Sequence, residues 1–407
     1  MAGPKAPDVA VIGGGIVGTA IAAFLAEGGL RVRLYERSSI AAGASGRNSG
    51  IVQHPFDPVL AGLYRQTLAE YRRLADGAPS SFGLPSEPAG LLLVGRDVET
   101  ALRAAEDWRR TWPATSPEVL SGDELVRLEP SLAPDLVLCR LAIGYPIPPA
   151  AATESFAALA DRLGVEIVLG DEARPVTLAG RIGGVRVGGS AGRIEPAGIV
   201  VVAGGPWTAQ IVDPDGGWRP IRPSWGVVAS LALPDAPRHA LEAIDIAIES
   251  ADGEGPPADT GGTVEFSLVP GTGFSSLGST FLHDEPDPAA WLDALRTVGR
   301  RYVPDVAVAP LIGLRTCARP VSRDARPLVG AAPWTSGLWI VAGHGMWGIS
   351  TGPGSARLVA DAILGRPGGG SIPAELAVGR FGAPGGIGAG GIGASGDVTG
   401  APASGRA

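Results

Sequence analysis

Two short apolar runs flank a longer apolar segment at the start of the chain. Residues 8–12 and 31–36 have the length of buried strands, and residues 16–27 have the length of a helix that ends at Gly28 and Gly29. Glycines lie between the first run and the helical segment. The pattern predicts a strand, a glycine turn, a helix and a second strand, which is the beginning of an α/β domain.

The same order returns near the other end of the chain. Residues 337–342 predict a strand, residues 343–348 a second glycine turn and residues 351–364 a helix. Between the two ends, alternating and β-branched residues predict an antiparallel sheet with its own helix, with strands at 225–231, 263–269 and 274–281 and the helix at 288–302. A second domain of the α+β type follows from this pattern.

The first glycine turn has the spacing of a dinucleotide-binding motif. Gly13, Gly15 and Gly18 follow the first strand as G-x-G-x-x-G, and Glu36 ends the second strand eighteen residues after Gly18. This spacing allows a tight turn, a close approach of backbone to a pyrophosphate and close packing of the helix, while the carboxylate accepts hydrogen bonds from a ribose. The alternative is an ordinary glycine-rich turn between a strand and a helix.

Composition excludes several classes of protein. The chain has 407 residues, a net charge of -8 and 18% charged residues, which argues against a nucleic-acid surface. It has no run of eighteen apolar residues, and we expect a cytoplasmic protein without a membrane span. Two cysteines and four scattered histidines predict neither a disulfide nor a metal site. Lys5 is the single lysine, so chemistry that needs an active-site lysine is excluded.

Three stretches together resemble the FAD-dependent amine and amino-acid oxidoreductases of the D-amino-acid oxidase superfamily. They are residues 11–18, the small-residue loop at 43–50, and the run from 313–315 through 324–330 to 343–345. The resemblance covers about residues 8–366. It implies an α/β fold with a Rossmann-like FAD-binding domain and an α+β substrate domain that contains a mixed, largely antiparallel sheet.

The resemblance also implies a division of the chain. We expect a discontinuous FAD-binding domain at residues 1–80, 145–215 and 310–367, and a substrate-binding domain at 81–144 and 216–309. Residues 368–407 are rich in Gly and Ala and predict a disordered tail, because they bury too little apolar area to offset the entropy of ordering.

FAD is the cofactor that the resemblance implies. A turn followed by a helix start offers backbone N–H groups that stabilise negative charge on a reduced flavin. The residues expected at the cofactor are Gly13, Gly15, Ile16, Val17, Gly18, Glu36, Arg37, Ser45, Gly46, Arg47, Asn48, Ala173, Ala203, Gly204, Cys317, Gly343, His344, Gly345, Met346, Trp347, Gly348 and Ile349.

Two arginines are candidates to bind a substrate carboxylate. Arg319 lies five residues before Asp324, where members of the family carry such an arginine, and Arg315 competes if the register slips. A planar guanidinium suits bidentate binding of a carboxylate. A surface salt bridge is the alternative for either residue.

Aromatic residues and histidines complete the expected site. Apolar walls around the substrate are expected from Trp225, Phe266, Phe281 and Trp347, each of which could instead be a core residue. His344 and His54 are candidate catalytic residues, and for both the alternative is a structural histidine.

Cys317 raises the question of a covalent cofactor. Residues 315–317 resemble the segment in which monomeric sarcosine oxidase attaches its flavin, although the residues that follow depart from that pattern. A buried, unreactive thiol is the alternative. Sarcosine oxidase also uses a lysine to activate O2, and the resembling stretch at 273–278 contains serines.

The implied function is oxidation of a C–N bond in an amine or amino acid. Hydride passes to FAD, and the imine product is hydrolysed or used in biosynthesis. O2 is the expected acceptor, with a dehydrogenase or desaturase that reduces a quinone or carrier as the alternative. A nicotinamide-dependent reductase has no need of the second glycine turn. A non-catalytic dinucleotide-binding scaffold is the alternative from another class. The sequence leaves the oligomeric state open.

Overall fold

The computed structural model describes residues 6–77, 82–245, 263–366 and 371–385. The helices are α1 Ile16–Glu27, α2 Ala44–Arg47, α3 Pro58–Asp76, α4 Val98–Thr111, α5 Gly122–Leu128, α6 Ala151–Arg162, α7 Thr208–Val212, α8 Leu292–Gly299 and α9 Gly348–Ile363. The strands are β1 Val9–Ile12, β2 Val32–Glu36, β3 Ile51–Val52, β4 Leu91–Gly95, β5 Glu118–Ser121, β6 Val137–Leu141, β7 Tyr145–Pro146, β8 Glu166–Leu169, β9 Ala173–Leu178, β10 Arg181–Val187, β11 Arg193–Glu195, β12 Ile199–Val202, β13 Ile221–Leu231, β14 Ala240–Ala243, β15 Thr263–Gly271, β16 Phe274–Phe281, β17 Leu311–Ser322, β18 Leu328–Ala331 and β19 Leu338–Ala342.

The first sheet is the parallel sheet that the two ends of the sequence predict. Its six strands lie in the order β18-β19-β12-β1-β2-β8, and all neighbours are parallel except β18 and β19. β1 is buried on both faces, as its apolar sequence requires. α1 is buried from Ile16 to Leu25 and packs against α9 and α6. The two ends of the chain therefore share one hydrophobic core.

The second sheet is mixed and largely antiparallel. Its eight strands lie in the order β17-β13-β16-β15-β14-β4-β6-β5, and β14 with β4 is its parallel pair. α8 packs on β15, and Phe266 stacks on Tyr302 with ring centroids 4.3 Å apart. Phe266 is 1% exposed in this core, which favours the core alternative for this residue over the cavity wall. Two smaller sheets, β11-β10-β9 and β3-β7, complete the fold.

One long strand connects the second sheet with the second glycine turn. β17 pairs with β13 from Leu311 to Ser322 in the eight-stranded sheet. Near its C-terminal end, β17 meets the turn after β19 through a bridge between Val321 and His344. The division into domains, with its expected boundary at residue 310, stays a prediction.

Part of the expected tail is ordered. Residues 371–385 contain two short 3₁₀ helices, and Leu376 and Val378 are buried against the first sheet. Apolar side chains in this segment bury enough area to hold it, which the Gly-rich composition of the segment conceals. The other expected tail residues, 368–370 and 386–407, lie outside the described part of the chain. Among the described residues, no helix combines the length and apolar character needed to cross a membrane.

Candidate active site

A cavity of about 600 Å³ lies between the two large sheets. The turns that follow β1, β2 and β12 form one end of it, and side chains from β13 to β17 form the other. The loop at 42–49 and the turn at 344–350 line the space between these ends. The cavity therefore extends from the carboxyl ends of parallel strands, where doubly wound folds bind nucleotides, to the face of the second sheet.

Most of the residues predicted for the cofactor line this cavity. The exceptions are Gly18, Gly46 and Gly343, which lie directly behind its wall. The residues that line it are Gly13, Gly15, Ile16, Val17, Glu36, Arg37, Ser45, Arg47, Asn48, Ala173, Ala203, Gly204, Cys317, His344, Gly345, Met346, Trp347, Gly348 and Ile349. The structure thus brings together segments that are up to 336 positions apart in the sequence, from Gly13 to Ile349.

The first glycine turn is too tight for any other residue at two positions. Gly13 has a φ of 115°, and a Cβ atom on it would lie 2.3 Å from Ala203 O. A Cβ atom on Gly18 would lie 1.9 Å from Gly13 O, so α1 packs directly against the turn. Helix α1 begins at Ile16, and Ile16 and Val17 line the cavity, with the Ile16 N–H donating to Ser45 Oγ at 2.9 Å. This cradle fits a pyrophosphate, which is the group that such turns bind.

Glu36 is fixed at the end of β2. Its carboxylate accepts hydrogen bonds from Gly14 N–H at 2.7 Å and from Ser38 N–H at 2.9 Å. These bonds leave lone pairs on both oxygens for the ribose hydroxyls that the sequence predicts. Next to it, the Arg37 guanidinium stacks over Trp207, with Cζ 4.2 Å from the ring centroid. This end of the cavity therefore presents a fixed carboxylate and a guanidinium held against an aromatic ring.

Arg315 holds the loop that contains α2. Its guanidinium donates to Arg47 O at 3.2 Å, to Asn48 O at 3.0 Å and to the hydroxyls of Ser230 and Ser276 at 2.7 and 2.9 Å. Arg315 does not line the cavity. Its contacts favour a structural role in fastening the cofactor loop to the second sheet over the binding of a substrate carboxylate.

Arg319 lies on the same strand and does line the cavity. Its guanidinium donates to Thr280 O at 2.8 Å and to Ser279 Oγ, and its Cζ atom lies 4.5 Å from the centroid of the Phe281 ring. It passes over Gly226, where any Cβ atom would collide with it. These two bonds use two of the five N–H donors of the guanidinium. Burial lowers the pKa of Arg319, and the group remains a cation because arginine keeps its proton in proteins.

His344 is bonded within the protein. Its Nε2 lies 3.0 Å from Ser355 Oγ, and that hydroxyl donates to Thr351 O at 3.1 Å. The hydroxyl proton is thus committed, so Nε2 of His344 is the donor in their shared bond. Burial lowers the pKa of His344 to about 4, and the imidazole is neutral at pH 7. These contacts support a structural role for His344 in the second glycine turn.

His54 lies outside the cavity wall. Its Nδ1 accepts a hydrogen bond from Phe56 N–H at 3.1 Å, and its ring packs against Phe56, Tyr64 and Trp112. Burial lowers the pKa of His54 to about 4. The structure places this predicted catalytic candidate in an aromatic cluster, which supports its structural alternative.

Cys317 lies in the wall between the two arginines. It is buried, its Sγ is 4.0 Å from Ala44 O, and burial raises the pKa of its thiol. Thiolate, the form that reacts, is therefore scarce at neutral pH. The predicted wall residues Trp225, Phe281 and Trp347 also line the cavity. Among the described residues, no group of three or more His, Cys, Asp or Glu side chains is arranged to hold a metal ion.

The cavity contains carboxyl groups that sequence reasoning missed. Glu242 on β14 and Glu265 on β15 line it, together with Gln53. Gln53 Nε2 donates to Glu242 Oε2 at 2.8 Å across 189 positions of sequence. The available signal was a single acidic residue inside the apolar run 240–244, and only the fold shows that it meets Gln53.

Comparisons with known proteins agree with this architecture. The model of the FAD dependent oxidoreductase family, DAO, matches residues 8–362. Glycine oxidase of Pseudomonas aeruginosa is 28% identical over 367 residues, which cover 88% of this chain and 95% of that protein.

Two solved structures share the fold. Glycine oxidase from Geobacillus kaustophilus superposes with a TM-score of 0.75 at 23% identity and covers 92% of this chain and 98% of its own. Iminodiacetate oxidase from Chelativorans sp. BNC1 has a TM-score of 0.75 at 24% identity, with the same coverage of 92% and 98%. The predicted α/β fold with a Rossmann-like domain and a second α+β domain is confirmed.

Proposed function

Because the chain belongs to the DAO family of FAD-dependent oxidoreductases, we propose that it oxidises the C–N bond of an amino acid or an N-substituted glycine. The observation that carries this proposal is the position of Arg319. A half-buried cation lies in the same cavity as the pyrophosphate cradle, on the face of the second sheet. A carboxylate bound there is held beside the cofactor.

The cofactor end of the cavity is assigned to FAD. The turn at Gly13–Gly18 and the start of α1 would hold the pyrophosphate, Glu36 would hold the ribose, and the loop with Arg47 and Asn48 would line the flavin. Bound FAD supplies the acceptor for a hydride from the carbon next to the substrate nitrogen. Gly348, Ile349 and Ser350 at the start of α9 line the same cavity, where the positive end of that helix would stabilise negative charge.

At the substrate end, the protein binds and orients. Arg319 binds the carboxylate through N–H donors that are not used by Thr280 and Ser279. The rings of Trp225 and Phe281 cover apolar atoms of the substrate and exclude water. Arg319, rather than Arg315, is the proposed carboxylate ligand, because Arg315 is occupied by the cofactor loop.

We propose that FAD is held without a covalent bond and that O2 is the electron acceptor. The raised pKa of the Cys317 thiol argues against covalent attachment. The stretch at 273–278 has no lysine, and a dehydrogenase or desaturase that reduces a quinone or carrier is the second candidate. The cytoplasmic location remains a prediction.

Steady-state assays test the proposal. The FAD-loaded protein is mixed with amino acids, N-substituted glycines and the matching amines that lack a carboxylate, and both peroxide and reduced dye are measured. We expect turnover of carboxylate-bearing amines and little turnover of the others. Peroxide release supports an oxidase, whereas dye reduction without peroxide supports a dehydrogenase. Equal turnover of amines with and without a carboxylate contradicts the role of Arg319.

A further inference from the structure

One pair of cavity residues has no part in the function described above. Glu242 is 8% exposed, and its Oε2 accepts the Gln53 amide proton at 2.8 Å. Gln53 is itself held in place, because its backbone N–H donates to Ser350 Oγ at 2.9 Å at the start of α9. The pair therefore connects the second sheet to the helix that faces the flavin.

Among the described residues around Glu242, no cation forms an ion pair with its carboxylate. Its strand partners are Ser267 on β15 and Leu93 on β4. On the cavity side, the charged groups on the other strands of this sheet are Glu265 on β15 and Arg319 on β17. The Arg319 guanidinium forms a hydrogen bond with β16, and β15 lies between β16 and β14. The other charged residues that line the cavity are Glu36, Arg37, Arg47, Glu172, Arg174 and Glu285.

Arg319 and Glu242 line one cavity from the same sheet. The Arg319 guanidinium reaches from β17 to Thr280 O and Ser279 Oγ on β16, so a single strand, β15, lies between its bonding partners and the Glu242 strand. A ligand in this cavity therefore has a cation and a carboxylate of one sheet available to it.

Resting on the proposed function, we propose that Glu242 binds the substrate nitrogen and accepts its proton, and that Gln53 is the residue that positions Glu242. The N–H bond of the substrate ammonium breaks, an O–H bond forms on Glu242, and the electron pair stays on nitrogen. The neutral amine is the form that can lose a hydride from the adjacent carbon. Arg319 and Glu242 then recognise the two ends of one zwitterion.

The protonation of Glu242 gives this proposal a measurable signature. Burial raises the pKa of Glu242 to about 7, and the hydrogen bond from Gln53 opposes that rise. Above pH 7 the carboxylate is ionised and binds an ammonium group. Below pH 7 the carboxylate becomes protonated, and the ratio of its affinities for a cation and a neutral group falls about tenfold per pH unit.

Two unreactive ligands of equal shape test the assignment. 2-Aminoisobutyrate has no hydrogen on its α-carbon and cannot be oxidised, and pivalate replaces its ammonium group with a methyl group. Their affinities for the FAD-loaded protein are measured between pH 6 and 8.5 from the change in flavin absorbance. We expect the wild-type protein to prefer 2-aminoisobutyrate above pH 7 and to lose that preference as the pH falls.

Three variants complete the experiment. Glu242→Gln keeps the shape of the side chain and should bind 2-aminoisobutyrate at least about tenfold more weakly, with pivalate unchanged, since hydrogen bonds to charged groups contribute ~1.5–3 kcal/mol. Glu118→Gln, a control on β5 of the same sheet and outside the cavity lining, should keep the preference and its pH midpoint. Gln53→Leu should move the midpoint to higher pH, which a purely structural role would not do.

The outcomes separate this inference from the proposed function. The inference is overturned if the wild type shows no preference for 2-aminoisobutyrate, if Glu242→Gln keeps the preference, or if Glu118→Gln loses it as well. In each case amino acids can still reduce the flavin, which leaves the proposed function standing. Failure of every amino acid to reduce the flavin rejects the proposed function instead. Flavin absorbance and thermal unfolding confirm that each variant is folded and loaded.

Discussion

The Arg319 guanidinium packs directly over Gly226, and a methyl group added at Gly226 should displace the guanidinium. A Cβ atom on Gly226 would lie 2.5 Å from Nη2 and 2.7 Å from both Cζ and Nη1 of Arg319. Ordinary contact begins at 3.4 Å, so the guanidinium has to move by about 0.9 Å in Gly226→Ala. That movement weakens its bonds to Thr280 O and Ser279 Oγ and takes it away from the substrate carboxylate.

The size of the effect follows from the bonds that are lost. A hydrogen bond to a charged group contributes ~1.5–3 kcal/mol, so losing one of a pair lowers affinity by roughly 10- to 150-fold. The assay is the binding of pivalate, which has a carboxylate and no amine, together with kcat/KM for the best substrate. We expect both to fall by that factor, while the content of bound FAD stays the same.

Gly313→Ala is the matched control. Gly313 lies on β17, the strand that carries Arg319, and a Cβ atom on it would meet no atom within 4 Å. We expect this variant to bind pivalate as the wild type does. If Gly226→Ala also binds pivalate with unchanged affinity, the assignment of Arg319 as the carboxylate ligand is refuted.

Three further predictions concern the cofactor and stability. Gly18→Ala should yield protein without bound FAD, because the new Cβ would lie 1.9 Å from Gly13 O. Gly62→Ala, the control in open space on α3, should keep its FAD. Equal flavin content in the two variants would contradict the assignment of this turn as the pyrophosphate cradle. Denaturation should release FAD from the wild type and from Cys317→Ser alike, and a wild-type chain that keeps the mass of FAD in a denatured mass spectrum would reject non-covalent binding. His54 takes up a proton at a pKa of about 4 when folded and at 6.5 when unfolded, so falling pH favours the unfolded chain across that interval. Urea titrations between pH 6.5 and 4.5 measure the unfolding free energy of the wild type and of His54→Phe. As the pH falls, this free energy should decrease less steeply for His54→Phe, with a difference in slope of about 1.4 kcal/mol per pH unit. Equal slopes would show that His54 is not neutral in the folded protein.

The cofactor end of the site was predictable because its chemistry is local. Gly13, Gly18 and Glu36 lie within one strand–turn–helix–strand unit, where the spacing in sequence fixes the spacing in the fold. The second glycine turn was equally readable, since a strand precedes it and a helix follows it. The sequence does not show how the two turns meet, and the order of strands β19, β12 and β1 in the first sheet supplies that information.

The two arginines show where the sequence stops being informative. Arg315 and Arg319 are four residues apart on β17, so the alternation of a strand places both on one face. Their different roles depend on what covers that face. The cofactor loop lies over Arg315, and the cavity lies over Arg319. No property of the strand itself distinguishes these neighbours.

Glu242 and Gln53 were missed for a related reason. Their contact joins two segments 189 positions apart, and neither segment carries a motif. A glutamate in a short strand is ordinarily assigned to solvent, because charged residues are rarely buried without a partner. Only the pairing of β14 with β15 and β4 brings this glutamate to the cavity.

The central claim is that one cavity holds FAD and a carboxylate-bearing amine together, and anaerobic reduction of the bound flavin tests it most directly. The FAD-loaded wild type and an Arg319→Met variant are titrated without oxygen against the best amino acid from the turnover assays, and the flavin absorbance is followed. We predict complete bleaching of the wild type and at least about tenfold slower bleaching of the variant at the same substrate concentration. A protein that takes up no FAD, or a flavin that no amino acid bleaches, would contradict the account.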